Sequence, residues 1–260
     1  MPSGEQLSVH LETPLGLQPV LNDLHIALSP GKIYGLLGKS GTGKTVFAKA
    51  LCGLLDPPFR VVSGRIRISN RIWSLEKPND RNRLRGNIVF MIFQSASLAL
   101  NPTMTIGDQI AEVFIHRKGI GRQPAMQAAA HVLEQVGLNP AYGQDYPHQI
   151  SGGMRQRVQI SVALALEPEI LVADEPTTGL DAVTQARVIT LLARIVKARS
   201  ISMVLISHDL RLIAQVSDEV GILRNGRLVE NGRIDTVFGR SLSPEAEKWV
   251  ESLAVLEGKS

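Results

Sequence analysis

A single cysteine, Cys52, stands in the 260 residues of this chain. One thiol excludes an internal disulfide and any metal site built from cysteine alone. Set in an apolar, helix-like run, it reads as a packed side chain rather than a reactive one. No apolar stretch is long enough to cross a bilayer, and "MPSGEQLSVH" lacks the charged-then-apolar form of a secretion signal. Repeats, heptads and low-complexity segments are missing too. The charge imbalance is small, a formal +4, so no strongly basic face announces nucleic acid. The densest basic stretch, "RNRLRGN" with Arg81, Arg83 and Arg85, reads as a solvated loop or helix face. These absences point to a cytoplasmic protein. What is present, 44% hydrophobic and 20% charged residues, suits one large domain, or one domain with a sizeable insertion.

Three short apolar runs read as buried parallel strands: 33–37, 170–173 and 203–206. Each is followed at once by polar residues with chemical potential: a glycine loop, Asp174-Glu175, and Ser207-His208. Ligands of open α/β sheets bind outside the carboxyl ends of the strands. Helix-like stretches "VFAKALCGLL", "AVTQARVITLLARIVKA" and "LRLIAQVS" come next in each case. The region from about 95 to 167 differs, with "IGDQIAEVFIHRKG" and "PAMQAAAHVLEQVGL" but no convincing strand. It is expected to be a helical insertion. Early segments "LSVHLET", "LHIALS" and "GRIRIS" alternate like half-buried antiparallel strands. "SPEAEKWVESLAVLEG" near the C-terminus predicts a docked helix with Trp249, Leu253 and Leu256 on one face. The expected organisation is one domain over 1–240 and a helical tail over 241–260.

The glycine loop, Gly38-Lys39-Ser40-Gly41-Thr42-Gly43-Lys44-Thr45, fits G-x-x-x-x-G-K-[ST]. Its physics is anion capture: successive backbone N–H groups form a nest, and the following helix presents its positive end. Lys44 would reach the β- and γ-phosphates and the Thr45 hydroxyl would ligate Mg²⁺. In "ILVADEP", Asp174 would hold Mg²⁺ directly or through water, and Glu175 could polarise an attacking water. An acidic pair after a strand is often only a solvated turn; the preceding phosphate loop makes the difference. "SGGMRQR" opens with Ser151, Gly152 and Gly153 at a helix start, a second anion-binding terminus. One nucleotide has no obvious need of both sites from one molecule. A two-fold dimer, with each nucleotide between one loop and the partner's Ser-Gly-Gly, removes that redundancy.

Together, Gly38–Thr45, Gln94, "SGGMRQR", "LVADEPTTGLD" and "LISHDL" resemble the nucleotide-binding subunit of an ABC transporter, over about residues 7–238. The resemblance implies a P-loop NTPase of the α/β class, with a RecA-like core, an antiparallel β subdomain and an inserted helical subdomain. It implies ATP and Mg²⁺ as cofactors and ATP hydrolysis as the activity. Gln94 would sense Mg²⁺ and water, so that Thr45, Gln94 and Asp174 form the metal set. Ser151, Gly152 and Gly153 would bind the γ-phosphate of the partner's ATP, and Gly179-Leu180-Asp181 would cross the dimer. His208 would contact the γ-phosphate and the attacking water. Implied partners are two membrane permease subunits, a second ATP-binding subunit (identical or paralogous) arranged head to tail, and an extracytoplasmic substrate-binding protein. The implied location is the cytoplasmic face of the bacterial inner membrane, with no nucleic acid bound.

"FQSASLALNPTMTIGDQI" and "TTGLDAVTQA" resemble the importers for peptides and for nickel or metallophores. "SLALNPTMTIGDQI" is where such subunits grip a permease, with Leu98 and Leu100 available for the contact. Two departures stand out. The cysteine cluster of many peptide-importer subunits is missing, and the short tail is closer to nickel-type subunits. The aromatic residue that commonly stacks on adenine is also missing, since "TPLGLQPVL" offers only Leu15 or Leu17. A soluble ABC ATPase acting on nucleic acid or ribosomes, and an accessory ATPase of a carbon–phosphorus lyase system, are the rival readings.

Overall fold

Alternation along the buried strands sorts their side chains between two apolar layers. In β3 (Ile33–Leu37), Ile33 and Leu37 join one core cluster while Tyr34 and Leu36 join the other. The same division holds in β8 (Ile170–Asp174), where Leu171 and Ala173 face one way and Ile170 and Val172 the other. In β9 (Ser202–Ile206) it separates Met203 and Leu205 from Val204 and Ile206. A period of two with apolar residues pointing both ways gives a sheet covered on both faces. The structure is a computed structural model and describes residues 6–68, 71–94 and 99–239.

The main sheet has six strands in the order β11-β10-β3-β9-β8-β7. It adds β7 (Val89–Ile92), β10 (Glu219–Arg224) and β11 (Arg227–Arg233) to the three strands above. All neighbours pair in parallel except β10 and β11, which form a hairpin through Asn225-Gly226. A second sheet, antiparallel with order β2-β1-β4, comprises β1 (Leu7–Thr13), β2 (Gly16–Leu24) and β4 (Phe59–Ser63). Pro19 is tolerated there because β2 is an edge strand. A small hairpin joins β5 (Arg65–Ile68) to β6 (Arg71–Ser74). The Asn22 N–H donates to the Gly226 carbonyl at 2.8 Å, tying the antiparallel sheet to the β10–β11 turn.

Helix α1 (Lys44–Leu51) follows the glycine loop and packs Phe47, Ala48 and Leu51 into one core layer. Between β7 and β8 lie α3 (Ile106–Lys118), α4 (Arg122–Gln135) and α5 (Gly152–Leu166), the helical insertion expected from the sequence. Thr105 caps α3 by accepting the Asp108 N–H, and Gly119 ends that helix in the left-handed region. α6 (Ala182–Arg199) and α7 (Leu210–Val216) cover the opposite face of the sheet from α1. α2 (Pro78–Leu84) and α8 (Ile234–Gly239) are short.

Some expectations need correction. "LHIALS" is not a strand: Leu24 ends β2, and residues 25–29 carry no ladder. Ile26 and Leu28 instead pack half-buried against the core from an irregular segment. The helix after the glycine loop stops at Leu51, because Gly53 turns into the left-handed region at φ +65. The arginine stretch lies on and just after α2, and serves as bracing. Arg81 donates to the carbonyls of Leu75 and Glu76, and Arg85 to that of Gly53. The tail helix with Trp249, Leu253 and Leu256, and Leu98 of the loop, lie outside the described residues.

Candidate active site

β3, β9, β8 and β7 lie side by side, so their carboxyl ends deliver adjacent loops to one sheet edge. The glycine loop leaves β3 with little room for side chains. A Cβ at Gly38 would lie 2.7 Å from the Leu223 carbonyl oxygen. Gly43 sits at φ +105, and a Cβ there would lie 2.6 Å from Leu21 Cδ2 of β2. Only glycine meets both demands at Gly43. No side chain caps α1, and no acidic residue occupies its first turn, so its N-terminus keeps positive character for an anion. Lys44 is buried, 7% exposed, with Nζ donating to the carbonyls of Gly38 and Lys39 at 2.7 and 2.8 Å. Burial pulls its pKa down, opposed by the charges of Glu175 and Asp174.

Asp174 ends β8 in a buried position, with the Thr45 side chain beside it. Burial pushes its carboxyl above the ordinary aspartate range; the Thr45 side chain and the Lys44 and Lys49 charges oppose that shift. Glu175 follows with φ +45, a strained value for a residue with a Cβ, and its N–H donates to the Ile206 carbonyl at 3.0 Å. That turn aims its carboxylate into the space shared by three loops. His208 Nδ1 lies 3.2 Å from one carboxylate oxygen, while Thr178 donates to the other at 3.0 Å and Gln94 Nε2 at 3.4 Å. Glu175 is thus fixed from three sides, with the His208 side chain 67% exposed toward solvent.

The cleft these groups border has a volume of about 490 Å³ and is lined by Ser40, Gly41, Gly43, Lys44, Thr45, Gln94 and Glu175, together with Val20, Val46 and Phe59. Leu15 and Leu17 do not line it, and both point to solvent, 93% and 52% exposed. Thr178 and Phe59 were missed by sequence reasoning. Thr178 was signalled by its place in "DEPTTGLD", whereas Phe59 carried no local signal.

Ser151, Gly152, Gly153 and Asp181 do not reach this cleft within one chain. The Ser151 hydroxyl accepts the Met154 N–H at 3.3 Å and caps α5, while Asp181 accepts the Thr184 N–H at 3.0 Å and caps α6. The Thr184 side chain and its N–H together hold the Asp181 carboxyl below the usual range. The two caps are neighbours, since a Cβ on Gly152 would lie 3.4 Å from Leu180 Cδ2 and one on Gly153 2.6 Å from Thr184 Cγ2. They form one exposed patch. The loop leading into the insertion is braced. Asn101 Oδ1 accepts from the Thr103 N–H and hydroxyl at 3.0 and 2.8 Å, and Gln109 Nε2 donates to the Asn101 and Met104 carbonyls. Leu100 is buried in the core cluster with Ile106 and Ile110, so it is not available for a docking contact.

The donor set suits Mg²⁺. Thr45 and Asp174 offer hard oxygen ligands side by side, and Mg²⁺ characteristically takes one or two protein ligands plus phosphate oxygens and water. Among the described residues no group of three or more His, Cys, Asp or Glu forms an all-protein metal cage. Among them also, no helix is long and apolar enough to cross a membrane.

Residues 21–178 match the family model described as "ABC transporter". The oligopeptide transport ATP-binding protein AppD of Bacillus subtilis (strain 168) is 37% identical over 93% of this chain and 74% of its own length. The dipeptide transport ATP-binding protein DppD of Escherichia coli (strain K12) is 36% identical over 96% of this chain and 77% of its own. Among solved structures, cbiO1 from Clostridium perfringens superposes with a TM-score of 0.77 at 23% identity, over 97% and 96% of the two chains. The dimeric cassette MJ0796 bound to ADP and Pi gives 0.75 at 21% identity, over 88% and 97%. With the glycine loop, the acidic pair and the helical insertion in place, the chain belongs to the ABC transporter family, as an ATP-binding subunit that hydrolyses ATP.

Proposed function

We propose that this subunit powers an importer of short peptides, binding ATP with Mg²⁺ in the glycine-loop cleft and working with two permease subunits at the cytoplasmic face of the inner membrane. The carrying observation for the chemistry is the convergence of Lys44, Thr45, Asp174, Glu175, Gln94 and His208 from four neighbouring strand ends. Lys44 exchanges its bonds to the Gly38 and Lys39 carbonyls for phosphate oxygens, and the loop amides from Gly38 to Thr45 wrap the phosphates. Thr45 and Asp174, with Gln94 beside them, hold the metal, which when bound offsets charge on the phosphates. Glu175 orients the attacking water and takes its proton, held in place by Thr178, Gln94 and His208. Water attack on the γ-phosphorus breaks its bond to the β–γ bridging oxygen and leaves ADP and phosphate.

Ser151, Gly152, Gly153 and Asp181 belong to the other chain's nucleotide in a head-to-tail pair, which accounts for a polar patch that its own cleft does not use. The cargo reading is supported by relatives named for oligopeptide and dipeptide transport. Nickel or metal chelates are the competing cargo. Uptake of labelled di- and oligopeptides and of nickel, in cells with and without this gene, separates them. Loss of nickel uptake with normal peptide uptake would overturn the peptide reading. Lys44→Ala, which should lose both ATP binding and turnover, tests the site.

A further inference from the structure

The lining of the glycine-loop cleft divides by chemistry. Ser40, Lys44, Thr45, Gln94 and Glu175 supply charge, hydroxyl and amide groups, whereas Val20, Val46 and Phe59 supply apolar surface. Phe59 is the one aromatic residue among them. Val20 and Phe59 come from the antiparallel sheet, whose β2 strand lies directly over Gly43.

Phe59 is placed there by strand pairing. It opens β4 opposite Leu11 of β1, and Val61 lies opposite Val9. Along β4, Phe59, Val61 and Ser63 are half-buried while Arg60 and Val62 are exposed, so Phe59 belongs to the inward face of the sheet. Backbone bonds set the start of the strand. Phe59 N–H donates to the Asp56 carbonyl at 3.1 Å, and the Pro58 carbonyl accepts the Glu12 N–H at 2.8 Å. Phe59 packs half-buried against the core and also borders the same cleft as the phosphate-binding residues, which leaves part of its ring open to a ligand there.

We propose that Phe59 is the surface on which the nucleotide base stacks, supplied from β4 rather than from the β1–β2 segment, which holds no aromatic residue. The inference rests on the assignment of the cleft to ATP. The polar lining residues are those assigned to the phosphates and the metal, and none remains to read the edge of a base. Stacking on an aromatic face tolerates any base, so ATP and GTP bind with similar affinity.

The test is equilibrium binding of ATP, GTP and inorganic tripolyphosphate to the full chain and to Phe59→Leu and Phe59→Trp. Phe59→Leu should weaken ATP and GTP alike by about 5- to 100-fold, the range of one base–aromatic stack, and leave tripolyphosphate unchanged. Phe59→Trp should keep ATP affinity. Its added emission, taken against the parent chain, should shift with ATP and not with tripolyphosphate. Wild-type ATP affinity in Phe59→Leu with an ATP-insensitive Phe59→Trp overturns the inference alone. So does an equal loss of ATP and tripolyphosphate in Phe59→Leu, which would mark Phe59 as a packing residue. If the parent chain bound neither ATP nor tripolyphosphate, the assignment of the cleft itself would fall.

Discussion

Asp174 and Glu175 are adjacent in sequence but live in opposite settings. Asp174 is buried beside Thr45, with its pKa raised by burial, whereas Glu175 sits in a left-handed turn among His208, Thr178 and Gln94. A carboxyl whose folded pKa exceeds its unfolded value costs stability when ionised. That cost is absent at acid pH, where the group is protonated in both states, and is full above the folded pKa. Asp174→Asn should therefore raise the stability of the nucleotide-free chain near neutral pH and bring no gain at acid pH. Urea titrations at the two pH values check the sign. The same change should reduce hydrolysis by several orders of magnitude, since a metal ion contributes several kcal/mol of charge stabilisation. Glu175→Gln should instead keep ATP binding and cut turnover by about 10²- to 10⁴-fold, the usual contribution of a general base. Normal turnover in that variant would remove Glu175 from the role.

At the scale of elements, β3, β8 and β9 were legible because short continuous apolar runs suit strands covered on both faces, and the residues after them carried the chemistry. The candidate site was legible for the same reason: Asp174 closes β8 with Glu175 next, His208 comes two residues after β9, and the loop that leaves β3 leads to Lys44 and Thr45. Elements defined by pairing rather than by burial were legible only in part: "LSVHLET" is β1 and "GRIRIS" holds β5, but others gave no such signal. β11 reads "RLVENGR", half polar, and is a strand because β10 offers it a partner. "LHIALS" has the alternation but finds no partner, so its apolar residues pack without a ladder. Phe59 follows two prolines and reaches the cleft only through the long-range pairing of β4 with β1. One such long-range tie is testable. Asp218, just before β10, accepts from Lys32 Nζ at 2.7 Å and from the Ile33 N–H at 3.0 Å, while its own N–H donates to the Ile33 carbonyl. Burial alone would raise the Asp218 carboxyl; the Lys32 and Ile33 bonds more than offset this and hold it below the usual range. Its contribution is therefore present above the unfolded aspartate pKa and lost as pH falls through the folded one. Asp218→Asn should cost about 1 kcal/mol at neutral pH, with Lys32 partly exposed and screened. Parent and variant stabilities should converge on acidification; a difference independent of pH would show that the charge is not what ties β3 to β10.

For the whole molecule, the issue is why the chain exposes a polar helix start that its own cleft does not use. Ser151 caps α5, Asp181 caps α6, and Gly152 brings the two together beside Leu180. If that patch meets the γ-phosphate of a second subunit, ATP favours association by binding the closed pair better than the separate chains. Blocking hydrolysis with Glu175→Gln should then trap the pair in ATP, with the paralogous subunit or, if the two are identical, with itself. Sedimentation with and without ATP reads the outcome. Adding Ser151→Arg to Glu175→Gln places a long side chain where the second nucleotide would dock, and should abolish association while ATP still binds each chain. Losing the Ser151 cap costs about 1 kcal/mol, so retained ATP binding shows that the fold has survived. In the otherwise unchanged chain, Ser151→Arg should lower hydrolysis by roughly 10²-fold, the scale of removing a preorganised donor from developing charge. If the double variant associates as readily as Glu175→Gln alone, the Ser-Gly-Gly patch does not face a partner's nucleotide. The redundancy of the two anion sites would then need another explanation.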